Sequence, residues 1–357
     1  MRRLFSSHHP ISLGNTPRPG RAFRVLAAAT VLSIFALVTL GGVVRLTGSG
    51  LGCPDWPLCH GRVIPPTDTQ TLIEYSHRLM ASVVGVLVVA TALIAWRSYR
   101  SLPRLLVPAT LGVALLVAQV LLGGFTVLRE LPSEIVLAHL ATAEALMASM
   151  VVVFMVALPS GQARPGTPTP GFSDTVPISI EAPEKGRDWL RTLTPVSVMA
   201  VYALLLTGSY VTVSGATASC GQWWPICQGS FLPEGYYPMM HMVHRVVALL
   251  AGVLIVTVLV LAWHRKHQYR ALAWAAAVVG VAFLVQVIVG ALVVWTGFPI
   301  APRLLHLAVA TLVWVGLSTL GVLVFISPSA SLRTESESSR AGPSPEGSRR
   351  IKGVSRA

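Results

Sequence analysis

The chain has 357 residues, of which 53% are hydrophobic and 11% charged, and its mean hydropathy is +0.67. This composition is too apolar for an ordinary soluble protein and indicates a chain whose solvent is the lipid bilayer. The formal net charge of +13 is interpreted as a signal of topology and of contact with anionic lipid, and it does not indicate nucleic-acid binding.

Eight apolar stretches are long enough to cross about 30 Å of hydrocarbon as helices. The first stretch could be mistaken for a signal peptide, but its apolar run is too long and no small-residue cleavage site follows it. The sequence therefore predicts an all-α integral membrane protein with eight transmembrane helices. In chain order they cover 24–44, 75–96, 104–128, 135–158, 191–213, 240–263, 271–295 and 303–326.

Basic residues are unevenly distributed between the two sides of these predicted helices. Of the 27 Lys and Arg residues, 20 lie in the two terminal tails and in segments 97–104, 159–191 and 264–270, and Arg24 is the first residue of the first predicted helix. The positive-inside rule then places both termini and the long central loop in the cytoplasm.

The predicted organisation has two bundles and three polar segments. A basic tail, 1–23, precedes a four-helix bundle, 24–158, and a second four-helix bundle covers 191–326. The segment between them, 159–190, is rich in Pro, Gly, Ser and Thr and is predicted to be a flexible linker. The tail 327–357 is predicted to be disordered.

The two bundles repeat each other in sequence when the chain is shifted by 167 residues. Many matches in one register indicate an internal duplication. Because each half has an even number of spans, the predicted duplication is parallel, about an axis along the membrane normal. The matched pairs are His77/His244, His139/His306, Cys53/Cys220, Gly48/Gly215, Arg78/Arg245, Gly85/Gly252, Gln119/Gln286 and Gly123/Gly290, with Cys59 and Cys227 one residue out of register.

Four histidines stand at matching depths near the outer ends of the even-numbered predicted helices: His77, His139, His244 and His306. A histidine in the hydrocarbon zone is a candidate for function, because it is costly without a partner. Two imidazoles facing each other inside a bundle are what a six-coordinate heme iron needs as axial ligands. The alternative for each is a buried histidine bonded to a carbonyl or hydroxyl group. The other histidines of the tails and basic loops are expected to be solvated.

All four cysteines fall in two predicted outer loops, where the oxidising environment allows disulfides to persist. Each loop is expected to carry one local disulfide that stabilises it. A redox-active pair is the functional alternative. A zinc site is disfavoured because neither pair has the usual CxxC spacing.

Glu74 and His241 occupy equivalent positions, each three residues before a candidate ligand and on the same helical face. Glu74 could accept a proton or stabilise a developing cation, or it could complement the helix dipole. Arg78 and Arg245 each follow a candidate ligand and could clamp a propionate by two hydrogen bonds. Snorkelling of both arginines to lipid headgroups is the alternative.

The motifs together resemble those of the heme A synthase family, over residues 24–326. They are GGVVRLTGSGLGCPDWPLC in the first outer loop, EYSHR, AHL, HMVHR and LLHLAVA. The resemblance implies an oxidoreductase that converts a methyl group of heme O into a formyl group through a hydroxymethyl intermediate, in two successive two-electron steps, to give heme A.

The resemblance also implies roles for single residues. Glu74, His77 and His139 would form the catalytic site for heme O, and His244 and His306 would hold the iron of a resident heme b. The disulfides would be Cys53–Cys59 and Cys220–Cys227. Arg78 and Arg245 are expected to assist cofactor binding because of their positions beside His77 and His244. The implied partners are heme O, heme O synthase, terminal oxidase assembly factors and the lipid of the cell membrane, and a homo-oligomer is compatible with this assignment.

Two alternative functions share part of this pattern. A diheme b-type electron-transfer cytochrome would use the same four histidines. All four lie toward one membrane face, however, so the two irons would be side by side and could not carry electrons across the bilayer. A transporter built from parallel repeats would place its polar residues at the bilayer midplane, whereas these histidines lie nearer the outer face.

Overall fold

The computed structural model describes residues 18–158, 188–267 and 269–326. Within these ranges the chain is helical, with a short 3-10 turn at Ala216–Ala218 and no β-strand beyond two isolated bridges. The predicted all-α class is confirmed for this part of the chain. The helices are α1 (Arg21–Leu46), α2 (Thr69–Ser98), α3 (Pro103–Leu128), α4 (Ser133–Ala157), α5 (Trp189–Val213), α6 (Tyr236–His264), α7 (Arg270–Trp295) and α8 (Ile300–Ile326).

All eight helices are long and apolar enough to cross a membrane, which confirms the predicted number of spans. Several begin earlier than the apolar runs do, because polar residues extend them. Helix α2 begins six residues before position 75, where the side chain of Asp68 accepts a hydrogen bond from the Thr71 N–H at 3.0 Å. This bond satisfies a donor that the first helical turn leaves free.

Helix α5 begins inside the segment predicted to be a linker. Its N-cap is Asp188, whose carboxylate forms an ion pair with Arg265 just beyond the end of α6, at 2.6 Å. Partial burial acts to raise the pKa of Asp188, but the hydrogen bonds and charges of Arg265 and Arg191 outweigh it and lower the pKa below its usual value. The rest of the predicted linker, 159–187, lies outside the described residues, as do 1–17 of the predicted basic tail and the predicted tail 327–357.

Helices α4 and α8 form the centre of the molecule. Helix α4 packs against α1, α3, α5 and α8, while α8 packs against α1, α4, α5 and α7. In their apolar windows 44% of the residues are buried, compared with 17–28% in the other six helices. The peripheral helices expose large aliphatic side chains along their outer faces, as expected where lipid replaces water.

The loops 47–68 and 214–235 contain the two cysteine pairs and lie at the same end of the bundle, which we call the disulfide end. Helices α1, α3, α5 and α7 end there, and α2, α4, α6 and α8 begin there. The four candidate histidines all lie within the first three turns of the helices that begin at this end.

Candidate functional site

The four histidines lie at two matched depths below the disulfide end. His77 and His244 each come eight residues after the first residue of their helix, Thr69 and Tyr236, and His139 and His306 each come six residues after theirs, Ser133 and Ile300. All four are partly buried. The matching depths that the sequence predicted are therefore present in the structure.

The histidines form two pairs, one in each half of the chain. His77 on α2 and His139 on α4 are close enough to interact electrostatically, and so are His244 on α6 and His306 on α8. The structure thus brings together the residues that the sequence paired.

Each imidazole lies against a glycine on the preceding helix. A Cβ atom built on Gly41 would stand 3.2 Å from Cε1 of His77, and one on Gly123 would stand 3.4 Å from Cε1 of His139. In the C-terminal half the matching distances are 2.8 Å from Gly208 to His244 and 3.0 Å from Gly290 to His306. A Cβ at Gly208 would force the ring of His244 to shift, those at Gly290 and Gly41 would be tight, and one at Gly123 would make a close contact with His139.

Sequence reasoning singled out Gly123 and Gly290 but missed Gly41 and Gly208. The missed pair is also related by the offset of 167 residues, so the repeat carried the signal. Glycine is frequent in transmembrane helices for general packing reasons, and this frequency concealed the two positions.

The two histidine pairs differ in their hydrogen bonds. In the N-terminal half, Nδ1 of His77 and of His139 are buried without a partner among the described residues. In the C-terminal half, the Thr207 hydroxyl lies 3.2 Å from Nδ1 of His244, and Nε2 of Gln286 lies 3.2 Å from both ring nitrogens of His306. Only the second pair is therefore oriented by neighbouring side chains.

Gln119, the equivalent of Gln286, does not reach an imidazole. Its amide donates to the backbone carbonyl of His139 at 2.7 Å and to the Thr142 hydroxyl. Thr207 has no equivalent either, because Leu40 occupies the matching position. Because Thr207 is not repeated in the N-terminal half, the comparison of the two halves did not single it out.

The residues fit a heme better than a bare metal ion. The described residues contain no group of three or more His, Cys, Asp and Glu side chains that could hold an ion. Each half offers two imidazoles. A heme supplies four nitrogen ligands to its iron, so two axial ligands remain for the protein to provide. In the N-terminal half the buried Nδ1 atoms of both histidines have no partner among the described residues. Glycines lie beside both rings. Both features are compatible with a heme at this pair.

Glu74 lies one helical turn nearer the disulfide end than His77 and is 5% exposed. Its carboxylate forms an ion pair with the Arg78 Nε at 2.9 Å. The other Arg78 nitrogens donate to backbone carbonyls of the first loop, those of Cys53, Asp55 and Leu58, at 2.7–2.8 Å. The guanidinium of Arg78 therefore fixes the loop and the carboxylate at once.

The matching region of the C-terminal half has an arginine without the carboxylate. Arg245 donates from Nη1 to the carbonyls of Pro225 and Ile226, at 3.0 and 2.9 Å, while its Nη2 is buried without a partner among the described residues. His241, at the position of Glu74, is buried and its Nδ1 is also unpartnered there.

Both disulfides are present, Cys53–Cys59 and Cys220–Cys227, and all four cysteines are buried. The first loop is further shaped by Asp55, whose carboxylate accepts from the Gly61 and His60 N–H groups at 2.6 Å each. The hydrogen bond from Gly61, followed by that from His60, lowers the pKa of Asp55.

A family model described as cytochrome oxidase assembly protein, COX15-CtaA, matches residues 24–318. The chain belongs to this family. The matched range contains all four histidines, Glu74 and both disulfides. Together with the eight spans, membership of the COX15-CtaA family identifies a multi-pass protein of the cell membrane.

Proteins named heme A synthase are among the relatives of this COX15-CtaA member. The one from Halalkalibacterium halodurans is 28% identical over 304 residues, which is 83% of this chain and 95% of that protein. The one from Alkalihalophilus pseudofirmus is 26% identical over 307 residues, 85% of this chain and 98% of that protein. The similarity therefore extends over nearly the whole length of these relatives.

Proposed function

We propose that this protein is a heme A synthase, which oxidises a methyl group of heme O to a formyl group through a hydroxymethyl intermediate. The observation that carries the proposal is the pair of histidines in each half, each imidazole set against a glycine, in a chain similar to heme A synthases over most of its length.

Heme O is the substrate of the N-terminal half, at His77 and His139, and a heme b is the resident cofactor of the C-terminal half, at His244 and His306. The different hydrogen bonds of the two pairs support this division. A ligating histidine is usually held by a hydrogen bond from its other ring nitrogen, and the Thr207 hydroxyl is placed to accept that bond from Nδ1 of His244. The Gln286 amide nitrogen lies 3.2 Å from both ring nitrogens of His306 and limits the freedom of that ring. The less constrained pair, His77 and His139, suits a ligand that must enter and leave.

Glu74 is the residue that distinguishes the two halves chemically. It is a buried carboxylate one turn from His77, and its counterpart is His241. It serves as a proton acceptor or as a stabilising charge for a cation at the reacting carbon. Arg78 holds its orientation through the ion pair at 2.9 Å. When bound, the heme b supplies one-electron redox chemistry, while the protein orients the substrate methyl group and limits side reactions.

The two halves form tandem four-helix bundles that arose by parallel duplication, with both termini and the linker in the cytoplasm. Support comes from equivalent packing: α1 on α2 and α4 corresponds to α5 on α6 and α8, and α1 on α8 corresponds to α5 on α4. The disulfide end then faces outward, and the two heme sites lie side by side at one depth. Heme O synthase and oxidase assembly factors are the expected protein partners.

The pigments of the purified protein test this function. They are extracted and separated by chromatography after an absorption spectrum has been recorded. Heme B together with heme O, a hydroxylated intermediate or heme A is expected. Heme B alone, bound in both halves, would instead favour a diheme electron-transfer cytochrome.

A further inference from the structure

Arg45 and Arg303 are neighbours at the disulfide end, and neither has an anionic partner among the described residues. Arg45 lies in the last turn of α1 and Arg303 in the first turn of α8. Neither forms an ion pair in the described part of the chain, and Nη2 of Arg45 is buried without a hydrogen-bond acceptor there. Arg303 acts electrostatically on Arg45, so the two like charges are neighbours. A buried donor without an acceptor beside a second cation is unfavourable unless an anion binds.

Arg45 faces the N-terminal histidine pair. It comes four residues after Gly41, whose Cβ position is 3.2 Å from Cε1 of His77. Residues four apart share a helical face, so Arg45 stands on the side of α1 that faces His77, one turn nearer the disulfide end.

Arg303 stands in the same relation to the C-terminal pair, because it comes three residues before His306 on α8. Helices α1 and α8 are in close contact at this level. A Cβ on Gly42 would lie 2.5 Å from Leu307 and 3.1 Å from Leu304, the residue after Arg303. The two arginines therefore meet at the boundary between the halves, one turn nearer the disulfide end than both histidine pairs.

Other arginines at this end are less suited to bind a further anion. The Nε, Nη1 and Nη2 atoms of Arg78 already donate to Glu74 and to loop carbonyls, and Arg129 is exposed. Arg245 also has an unpartnered Nη2 among the described residues, but its Nη1 is held by the carbonyls of Pro225 and Ile226 in the second loop. The repeat does not reproduce the pair either, since the equivalents of Arg45 and Arg303 are Thr212 and Val136. The arrangement belongs to the junction of the halves and not to each bundle.

We propose that Arg45 and Arg303 form a carboxylate-binding site for porphyrin propionates, Arg45 for the ligand at His77 and Arg303 for the ligand at His306. This inference rests on the proposed function. A guanidinium binds a carboxylate through two parallel hydrogen bonds. Binding the propionates at the disulfide end fixes the rotation of the macrocycle in its plane, so Arg45 is a positioning residue that decides which methyl group is presented to Glu74.

The test compares a diacid with its diester. The full chain, in bilayer discs of phosphatidylcholine, is titrated with iron protoporphyrin IX and with its dimethyl ester, and binding is followed by the spectrum of bis-histidine iron. The wild type is expected to bind the diacid about tenfold more tightly or better. Arg45→Ala should lose this preference, Arg45→Lys should keep part of it, and the control Arg129→Ala should keep all of it. Arg303→Ala should release the resident pigment more readily during detergent washing.

The wild-type comparison alone can overturn the inference, even if a variant fails to fold. Equal affinity for diacid and diester would show that propionates are not bound by charge. If Arg45→Ala instead loses bound anionic lipid while its preference for the diacid is unchanged, the pair holds a lipid phosphate and the inference is wrong. A wild type that binds neither porphyrin would contradict the proposed function itself, so the two failures are distinguishable.

Discussion

The Thr311 hydroxyl donates a hydrogen bond to Oε1 of Glu144 at 3.1 Å, and the two residues are 167 positions apart, the offset that relates the predicted repeats. Both side chains are fully buried, on α4 and α8. Trp314 Nε1 also donates to the Glu144 backbone carbonyl at 2.9 Å, whereas Oε2 of Glu144 has no partner among the described residues. Equivalent positions of the two halves thus meet at the centre of the molecule as an unlike polar pair.

We expect Thr311→Val to destabilise the protein by about 1–3 kcal/mol, because it leaves the buried Glu144 carboxyl without its side-chain partner. Replacing both groups, in Glu144→Leu with Thr311→Val, should recover part of this loss. Unfolding of the purified variants in one detergent measures the effect. Strictly additive destabilisation would contradict a direct coupling, and Glu144→Gln, which keeps an acceptor for Thr311, is the matched control.

Glu74→Gln should leave heme binding largely intact and block formation of heme A. The amide keeps a carbonyl oxygen for the Arg78 donor, so the local structure is expected to persist while the charge is lost. General acid–base groups typically contribute 10²–10⁴-fold, so a decrease of about 100-fold or more in product formation is expected in a cell-based or reconstituted assay. Undiminished heme A output with normal heme content would exclude the catalytic role.

His244→Ala should lose the resident heme b, whereas His77→Ala should keep it and impair turnover. The difference follows from the separate positions of the two pairs and from the Thr207 and Gln286 contacts in the C-terminal half. Heme content per chain and product yield are measured on the same preparations. Full pigment and full activity in both variants would refute ligation by these histidines.

Gly208→Ala should lower heme content in the C-terminal half, because the new methyl group would lie 2.8 Å from Cε1 of His244. Gly85→Ala is a matched control inside α2, where the nearest atom to a new Cβ is 4.0 Å away on Leu116. The control should be neutral or stabilising, by up to about 1 kcal/mol from helix propensity. Equal heme loss in both variants would point to general helix damage instead.

Apolar length alone was sufficient to predict eight helices, but not where they begin. The early starts of α2 and α5 depend on the capping residues Asp68 and Asp188, which stand outside the apolar runs. Helix-terminal polar residues make local contacts that a hydrophobicity window does not detect.

The four histidines could be predicted because they are repeated in one register. Residues that break the repeat were missed, Thr207 because its counterpart is Leu40, and Arg45 and Arg303 because their importance depends on how α1 packs on α8. Contacts between halves are not encoded in the periodicity of either half, so only a three-dimensional arrangement exposes them.

The hydrogen bonds of Arg78 link the first disulfide to Glu74. All three of its carbonyl acceptors, on Cys53, Asp55 and Leu58, belong to the covalent ring closed by the Cys53–Cys59 disulfide, and its remaining contact is Glu74. The orientation of the Glu74 carboxylate on α2 thus depends, through Arg78, on the disulfide-closed ring of the first loop. The disulfide therefore constrains the carbonyls that hold Arg78 and, through Arg78, the carboxylate of Glu74.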